Sequence, residues 1–225
     1  MLRHLGSAFR PWDKNPNLCR RCLGHLSRQE VSGAEVEATF LFADVRRSSE
    51  LARRVGTMEF TRLMQRFYAT ATGVLLDHDA LLDKFVGDEV VAFFLPFMAG
   101  AEHPRRAVQA ARALFTAVGY GSGEGVWIPL GAGLHTGPAF VGVVSKGSGY
   151  EFTALGDTPN VAAHLAAQAA PGEILVIEEV AASLDAHGLE RRSLSLKGHP
   201  VEALVVPAVA PDAAPAAGYR GAEGT

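Results

Sequence analysis

The amino-acid sequence predicts an α+β domain: a ferredoxin-like split βαβ core, with an antiparallel-rich sheet and helices on one face. Three observations point there. Between residues 36 and 145 the apolar pattern runs strand, helix, strand, strand, helix, strand. Within it, Phe60, Leu63, Met64, Phe67 and Ala71 recur at helical spacing. Gly87-Asp88 separates two apolar runs as a tight hairpin turn would.

Each element follows from its own residues. VEATFLFAD (36–44) reads as a strand, with a helix opening near Ser48, and Thr57 to Asp77 reads as a long helix. ALLDKFVGDEVVAFFLP (80–96) reads as two strands around Gly87-Asp88. The most apolar stretch, VVAFFLPFMAGA (90–101), contains Pro96 and reads as a buried strand leaving the sheet. A helix over His103–Val118 is followed by two strands, 127–137 and 138–145, and by the strand YEFTAL (150–155). Thr158 and Pro159 read as the N-cap and first helical position of an alanine-rich helix. Val161 and Leu165 form its apolar stripe, while Asn160 and His164, also four apart, share another face. A short strand EILVI, a last helix, and the strands LERRSLSLKG and VEALVVP close the sheet. Residues 1–33, without sustained period, are expected to form an N-terminal segment before a domain over 34–206; the Ala/Pro/Gly-rich residues 207–225 are expected to be disordered.

Composition narrows the function. With 48% hydrophobic and 20% charged residues, the 225-residue chain is globular and large enough for a full core. A net charge of −3 gives no general attraction to nucleic acid or acidic membranes. No run of eighteen apolar residues spans a bilayer, and the first residues lack the apolar core of a secretory signal. Two cysteines make no disulfide framework, so the expected setting is the cytoplasm.

Asp44 ends the first strand and Asp88 sits in the central hairpin turn, and these strands are neighbours in a split βαβ sheet. Two carboxylates emerging together suit two magnesium ions roughly 4 Å apart, with open positions for substrate phosphates. The loop VRRSSEL, that is Val45, Arg46, Arg47, Ser48 and Ser49 onward, places backbone N–H groups at a helix N-terminus, a natural phosphate seat. Taken singly, either aspartate is an ordinary turn or cap residue.

Three blocks, FLFADVRRSSELA, LLDKFVGDEVVAFF, and LGAGLHTGPAFVGVV with YEFTALGDTPNVAAHLAAQAAPGEILV, together resemble the class III nucleotidyl cyclases, in the right order over residues 36–206. The resemblance implies a head-to-tail homodimer with active sites in its seam, converting a nucleoside triphosphate to a 3′,5′-cyclic monophosphate and pyrophosphate. Residue by residue, it implies that Asp44 and Asp88 hold two Mg2+ or Mn2+ ions and that the turn after Asp44 holds the terminal phosphates. Family members often have glycine where this chain has Arg47. Lys84 matches the base-selecting lysine of adenylyl cyclases, whose donor suits the N1 acceptor of adenine; guanylyl cyclases tend to carry glutamate there. Thr153 matches the second base-selecting position, where a threonine accepts from the adenine amino group, so the implied substrate is ATP. Asn160 matches the asparagine that orients the ribose, Lys197 a lysine that reaches the triphosphate, and the alanines leave room for a close dimer seam.

His164 stands where active members carry arginine, which donates to the α-phosphate as charge builds in the transition state. Histidine is shorter and has one donor when neutral. Three readings stay open: an enzyme using His164, an enzyme using Arg46, Arg47 or Lys197 instead, or a degenerate cyclase-homology domain that binds nucleotide and serves as a signalling or dimerisation module. The intact aspartates, Lys84 and Asn160 favour an enzyme of reduced activity. GDE before VVAFF is similar to the GGDEF block of diguanylate cyclases, but that reading leaves TALGDTPNVAAHL unexplained. An RNA-binding sheet lacks its aromatic strand and basic face here. Cys19 and Cys22 with His25 fall short of a closed zinc site unless His4 or a second chain completes it, and a reduced pair is the simpler reading. His135 reads as a packed or strand-edge histidine.

Overall fold

The structure, a computed structural model, describes residues 11–12, 15–19, 33–146, 149–184, 188–196 and 199–209. Lys197, Cys22, His25 and His4 lie outside them, as does the tail from residue 210. A small antiparallel ribbon of β1 (Pro11–Trp12) and β2 (Asn15–Cys19) precedes the main sheet. The domain then runs β3 (Gly33–Val45), α1 (Ser48–Val55), α2 (Thr57–Asp77), β4 (Leu81–Val86), β5 (Glu89–Phe94), α3 (Pro96–Ala99), α4 (His103–Ala117) and β6 (Leu130–Lys146). It closes with β7 (Gly149–Leu155), α5 (Asp157–Gln168), β8 (Glu173–Val176), α6 (Glu178–Ala181), β9 (Glu190–Leu196) and β10 (His199–Pro207).

Eight strands form one sheet in the order β4-β5-β3-β6-β8-β10-β9, with β7 also paired to β6. All ladders are antiparallel except β6–β8. The first six elements of the core therefore give the expected split βαβ order, and the α+β fold class holds. Alternation along β3 divides the interior in two. Leu41, Ala43 and Val45 face a layer made by Met64, Phe67, Ala71 and Leu75 of α2 and Ala107, Ala111, Leu114 and Phe115 of α4. Ala38 and Phe40 point the other way, into a second cluster with Leu81, Phe93, Val141 and Ala162. The two long helices thus share one face as expected, whereas α5 crosses to the opposite face. Gly133 makes that possible: a Cβ there would lie 2.2 Å from the backbone N of Ala166 and 2.4 Å from the carbonyl of Ala162.

Three sequence expectations change. The strands expected over 127–137 and 138–145 are one strand, β6, that starts only at Leu130. Pro138 falls between the stretch paired with β8 (132–134) and the stretch paired with β7 (140–146), where that edge has no ladder and proline is tolerated. Thr158 does not cap α5, because the helix begins at Asp157; its hydroxyl instead donates to the carbonyl of Pro138 at 2.6 Å, tying α5 to the sheet. Pro207, assigned by sequence to the tail, pairs with Glu173 as the last residue of β10.

A buried polar chain locks α4 to the sheet: Thr39 Oγ1 lies 2.8 Å from His103 Nδ1 and 2.7 Å from Thr136 Oγ1. Burial keeps the His103 pKa below its ordinary value, against the pull of Glu37. His135 is packed between β3 and β8 on the α5 face, with its pKa also lowered by burial. Among the described residues no helix is long and apolar enough to cross a membrane.

The sheet is strongly curled at one end. β4 and β7 are four ladder steps apart, roughly 19 Å on a flat sheet at about 4.8 Å per step. Yet Thr153 of β7 donates to Asp83 of β4 at 3.0 Å, and Phe152 stacks on Phe93 with ring centres 6.3 Å apart. The curl makes a trough on the face away from α2 and α4.

Candidate active site

A cavity of about 500 Å3 fills this trough. Lys84, Thr153 and Asn160 all line it, together with Asp83, Glu89 and Glu151. A bulge in β4 sets the arrangement. Leu82 pairs with Ala92 but Lys84 pairs with Val91, so Asp83 is an extra residue in the ladder. Val91 stands opposite Phe42, on the cavity face, and so does Lys84. With unbroken alternation from Leu82, Lys84 would face the helical layer and Phe85 the cavity.

The polar cluster at the cavity floor is compact. The Lys84 ammonium donates to Glu151 Oε1 and to Thr153 Oγ1, both at 3.2 Å, and lies 3.6 Å from Asp83 Oδ2. Thr153 in turn donates to Asp83 Oδ2 at 3.0 Å. The Asp83 side chain is only 5% exposed, and its Oδ1 has no hydrogen-bond partner among the described residues. Burial pushes its carboxyl up to about 6, against the pull of the Lys84 ammonium and the Thr153 hydrogen bond. Asn160 is exposed on the first turns of α5, where its Nδ2 donates to the carbonyl of Gly156 at 2.9 Å. His164 is exposed one turn further along and does not line the cavity.

Of the expected metal and phosphate residues, Ser48, Ser49 and Asp88 lie elsewhere, while Asp44 lines neither this cavity nor the next. A second cavity, of about 570 Å3, is lined by Ser48, Ser49, Gly87 and Asp88, with Tyr68 and Gln65 of α2. The hairpin turn needs Gly87 at φ 61, its first central position, as a type II′ turn does. The backbone N–H of Val45 donates to the carbonyl of Asp88 at 3.2 Å, which fastens the turn beside the end of β3. Asp44 is paired across the ladder with Glu89. Negative charge is therefore concentrated here: burial and the Asp88 carboxylate both raise the pKa of Glu89 and of Tyr68, whose hydroxyl donates to the carbonyl of Gly87.

Asp44 and Asp88 fit a magnesium or manganese site of the kind completed by substrate phosphates, which needs one or two carboxylates and no closed cage. Among the described residues no group of three or more His, Cys, Asp or Glu side chains is gathered as such a cage. Arg46 turns inward instead of toward a phosphate. Its guanidinium pairs with the Asp44 carboxylate and donates to the carbonyls of Ala167 and Ala169 at 3.2 and 3.3 Å. Burial lowers its pKa, against the pull of Asp88 and Glu89. The amides of Val45 and Arg46 are also engaged, on the carbonyls of Asp88 and Pro129, which leaves of the expected phosphate seat the amides of Arg47, Ser48 and Ser49 at the start of α1. Arg47 adopts φ 54 and ψ 38, the left-handed conformation that glycine takes freely.

The sequence reading named Lys84, Thr153 and Asn160, which line the first cavity, and Asp88, which lines the second, but not Asp83, Glu89, Glu151 or Tyr68. For Asp83 the only available signal was its place beside Lys84, and plain strand alternation puts neighbours on opposite faces.

Comparisons with known proteins bear on the family and the fold. The family model for the adenylate and guanylate cyclase catalytic domain matches residues 31–206. A Mycobacterium tuberculosis protein is 28% identical over 185 residues, covering 76% of this chain and 33% of that protein. Mouse (Mus musculus) guanylate cyclase 2G is 27% identical over 187 residues, covering 77% of this chain and 17% of that protein. The chain thus spans a third or less of the length of these relatives. Among solved structures, the adenylyl cyclase CyaB from P. aeruginosa superposes with a TM-score of 0.65 at 25% identity, covering 78% of this chain and 96% of that one. The guanylyl cyclase Cya2 gives 0.69 at 19% identity, covering 78% and 93%.

Proposed function

Because the chain belongs to the adenylate and guanylate cyclase catalytic-domain family, we propose that it is an adenylate cyclase that forms 3′,5′-cyclic AMP and pyrophosphate from ATP in a head-to-tail homodimer. The single observation that carries the base choice is the Lys84–Thr153 contact of 3.2 Å on the wall of one cavity. The lysine ammonium donates to N1 of adenine, and the threonine oxygen accepts from the adjacent amino group. Asn160 orients the ribose by donating to its ring oxygen with one N–H of Nδ2, while the other N–H is held by the Gly156 carbonyl. The start of α1 binds the terminal phosphates through the amides of Arg47, Ser48 and Ser49.

Asp44 and Asp88 hold two Mg2+ or Mn2+ ions, which when bound supply charge neutralisation and a more acidic 3′-hydroxyl. The ribose O3′ forms a bond to the α-phosphorus, the bond to the pyrophosphate oxygen breaks, and the hydroxyl proton passes to water. His164 donates to the α-phosphate oxygens as charge accumulates there. The dimer is supported by the separation of the two groups within one chain: base-reading residues line one cavity, and Asp88 with the serines lines another. Head-to-tail pairing brings the first cavity of one protomer over the carboxylates of its partner.

Purified protein incubated with Mn–ATP and Mn–GTP, with products separated by chromatography, tests the reading. Cyclic AMP should form in excess over cyclic GMP, and Asp44→Ala or Asp88→Ala should abolish it. Preference for GTP overturns the roles of Lys84 and Thr153; equal product from the alanine variants overturns the metal assignment. The exposed position of His164 favours one second reading, a nucleotide-binding signalling or dimerisation module. ATP binding without product at high enzyme concentration supports that reading.

A further inference from the structure

The hydrogen-bond arithmetic of the cavity floor leads one residue further than base selection by Lys84 and Thr153. A threonine hydroxyl has one proton and two lone pairs, so alone it can either donate to or accept from a purine edge. Adenine presents an amino donor at the position where guanine presents a carbonyl acceptor. A free threonine would therefore serve both bases by rotating its proton. In this chain it is not free. Its proton is given to Asp83 Oδ2 at 3.0 Å, and one lone pair takes an N–H from Lys84 at 3.2 Å. A single lone pair is left over for the ligand.

Resting on the reading of this cavity as a purine seat, we infer that Asp83 is a base-selecting positioning residue: by taking the Thr153 proton it commits Thr153 to accepting, and so commits the cavity to adenine. Asp83 lines the same cavity, and the bulge in β4 turns Lys84 there beside it. Its side chain is 5% exposed and its Oδ1 already lacks a partner among the described residues, so surrendering the Thr153 bond would leave this buried carboxylate only the Lys84 ammonium at 3.6 Å. At neutral pH the group is ionised, because burial raises its pKa only to about 6, and an ionised carboxylate can only accept. Guanine gains a donor from Thr153 only by breaking this bond.

The test is a double-mutant cycle on the full chain, reading the ATP-to-GTP ratio of kcat/KM with Mn2+ and, independently of turnover, the ratio of the two dissociation constants by calorimetry. Asp83→Leu, nearly isosteric, frees the Thr153 proton and should lower both ratios roughly 10- to 100-fold. Thr153→Val should lower them similarly, and the double variant should be no worse than Thr153→Val alone, since Asp83 acts through that hydroxyl. If Asp83→Leu fails to fold, Asp83→Ala makes the same prediction. An unchanged ratio in a folded Asp83 variant, or effects of the two substitutions that multiply, overturns the inference while ATP preference in the wild type leaves the proposed function standing. A wild type that binds neither nucleotide overturns both.

Discussion

Asp83→Asn offers a stability measurement whose sign and size follow from the structure. The Asp83 carboxyl titrates at about 6 in the folded chain because burial penalises its charge, against about 3.9 for an unfolded aspartate. The groups facing it are Lys84 on its own strand and Thr153 and Glu151 on β7. Raised folded pKa means that the protonated side chain stabilises the fold. That contribution is complete below about pH 4 and is lost as pH rises through about 6. A shift of about two units corresponds to about 3 kcal/mol. Asparagine cannot ionise, so the stability of Asp83→Asn minus that of wild type should grow by about 3 kcal/mol between about pH 3 and pH 7. For a domain of this size that is a relative Tm gain of about 6–12 °C. Urea denaturation followed by circular dichroism at several pH values measures it, and the subtraction cancels every other carboxylate. A difference flat to within about 0.5 kcal/mol across this window would refute the burial argument.

Other substitutions test other parts of the architecture. His164→Arg restores a permanently charged fork on the exposed side of α5 and should raise cyclic AMP formation on the order of 10²–10³-fold, read as kcat at saturating Mn–ATP. Gly133→Ala places a methyl 2.2 Å from the backbone N of Ala166, so α5 must lift from β6; a loss of about 1–3 kcal/mol by urea denaturation is expected. At Arg47, with φ 54, substitution by Val should cost about 1–2 kcal/mol. Gly at the same position should leave stability within about 1 kcal/mol of wild type, since relief of strain is offset by chain entropy. Equal stability of the Val and Gly variants in thermal melts would contradict the left-handed assignment.

What the sequence disclosed and what it withheld divide along local and non-local physics. The α2 helix was legible because Phe60, Phe67 and Ala71 repeat on one face, and the β4–β5 hairpin because Gly87-Asp88 supplies its own turn. Asp44 and Asp88 were found because a strand end and a hairpin turn are fixed by local chemistry. The continuity of β6 through Pro138 was not legible, since it depends on which strands stop beside that residue. Nor was the start of α5, because Thr158 spends its hydroxyl on the distant Pro138 carbonyl and not on its own helix. The inward turn of Arg46 is set by carbonyls of α5 more than a hundred residues away. The bulge at Asp83 is the sharpest case, because period-two alternation predicts the wrong face for Lys84 and only the register with β5 corrects it.

The curl of the sheet has a consequence for how the protein is assembled in time. The contacts proposed to read the base join residues 69 and 70 positions apart in the chain, and no local element can hold them in place. Loops that long close late, after the strands between them have zipped. The β4–β5 hairpin, which carries Asp88, can close locally, whereas the contacts proposed to discriminate purines must wait for β7 to arrive. If the proposed roles hold, a chain caught before that step would hold phosphates without judging the base, and nucleotide selectivity would mark completed folding in this domain.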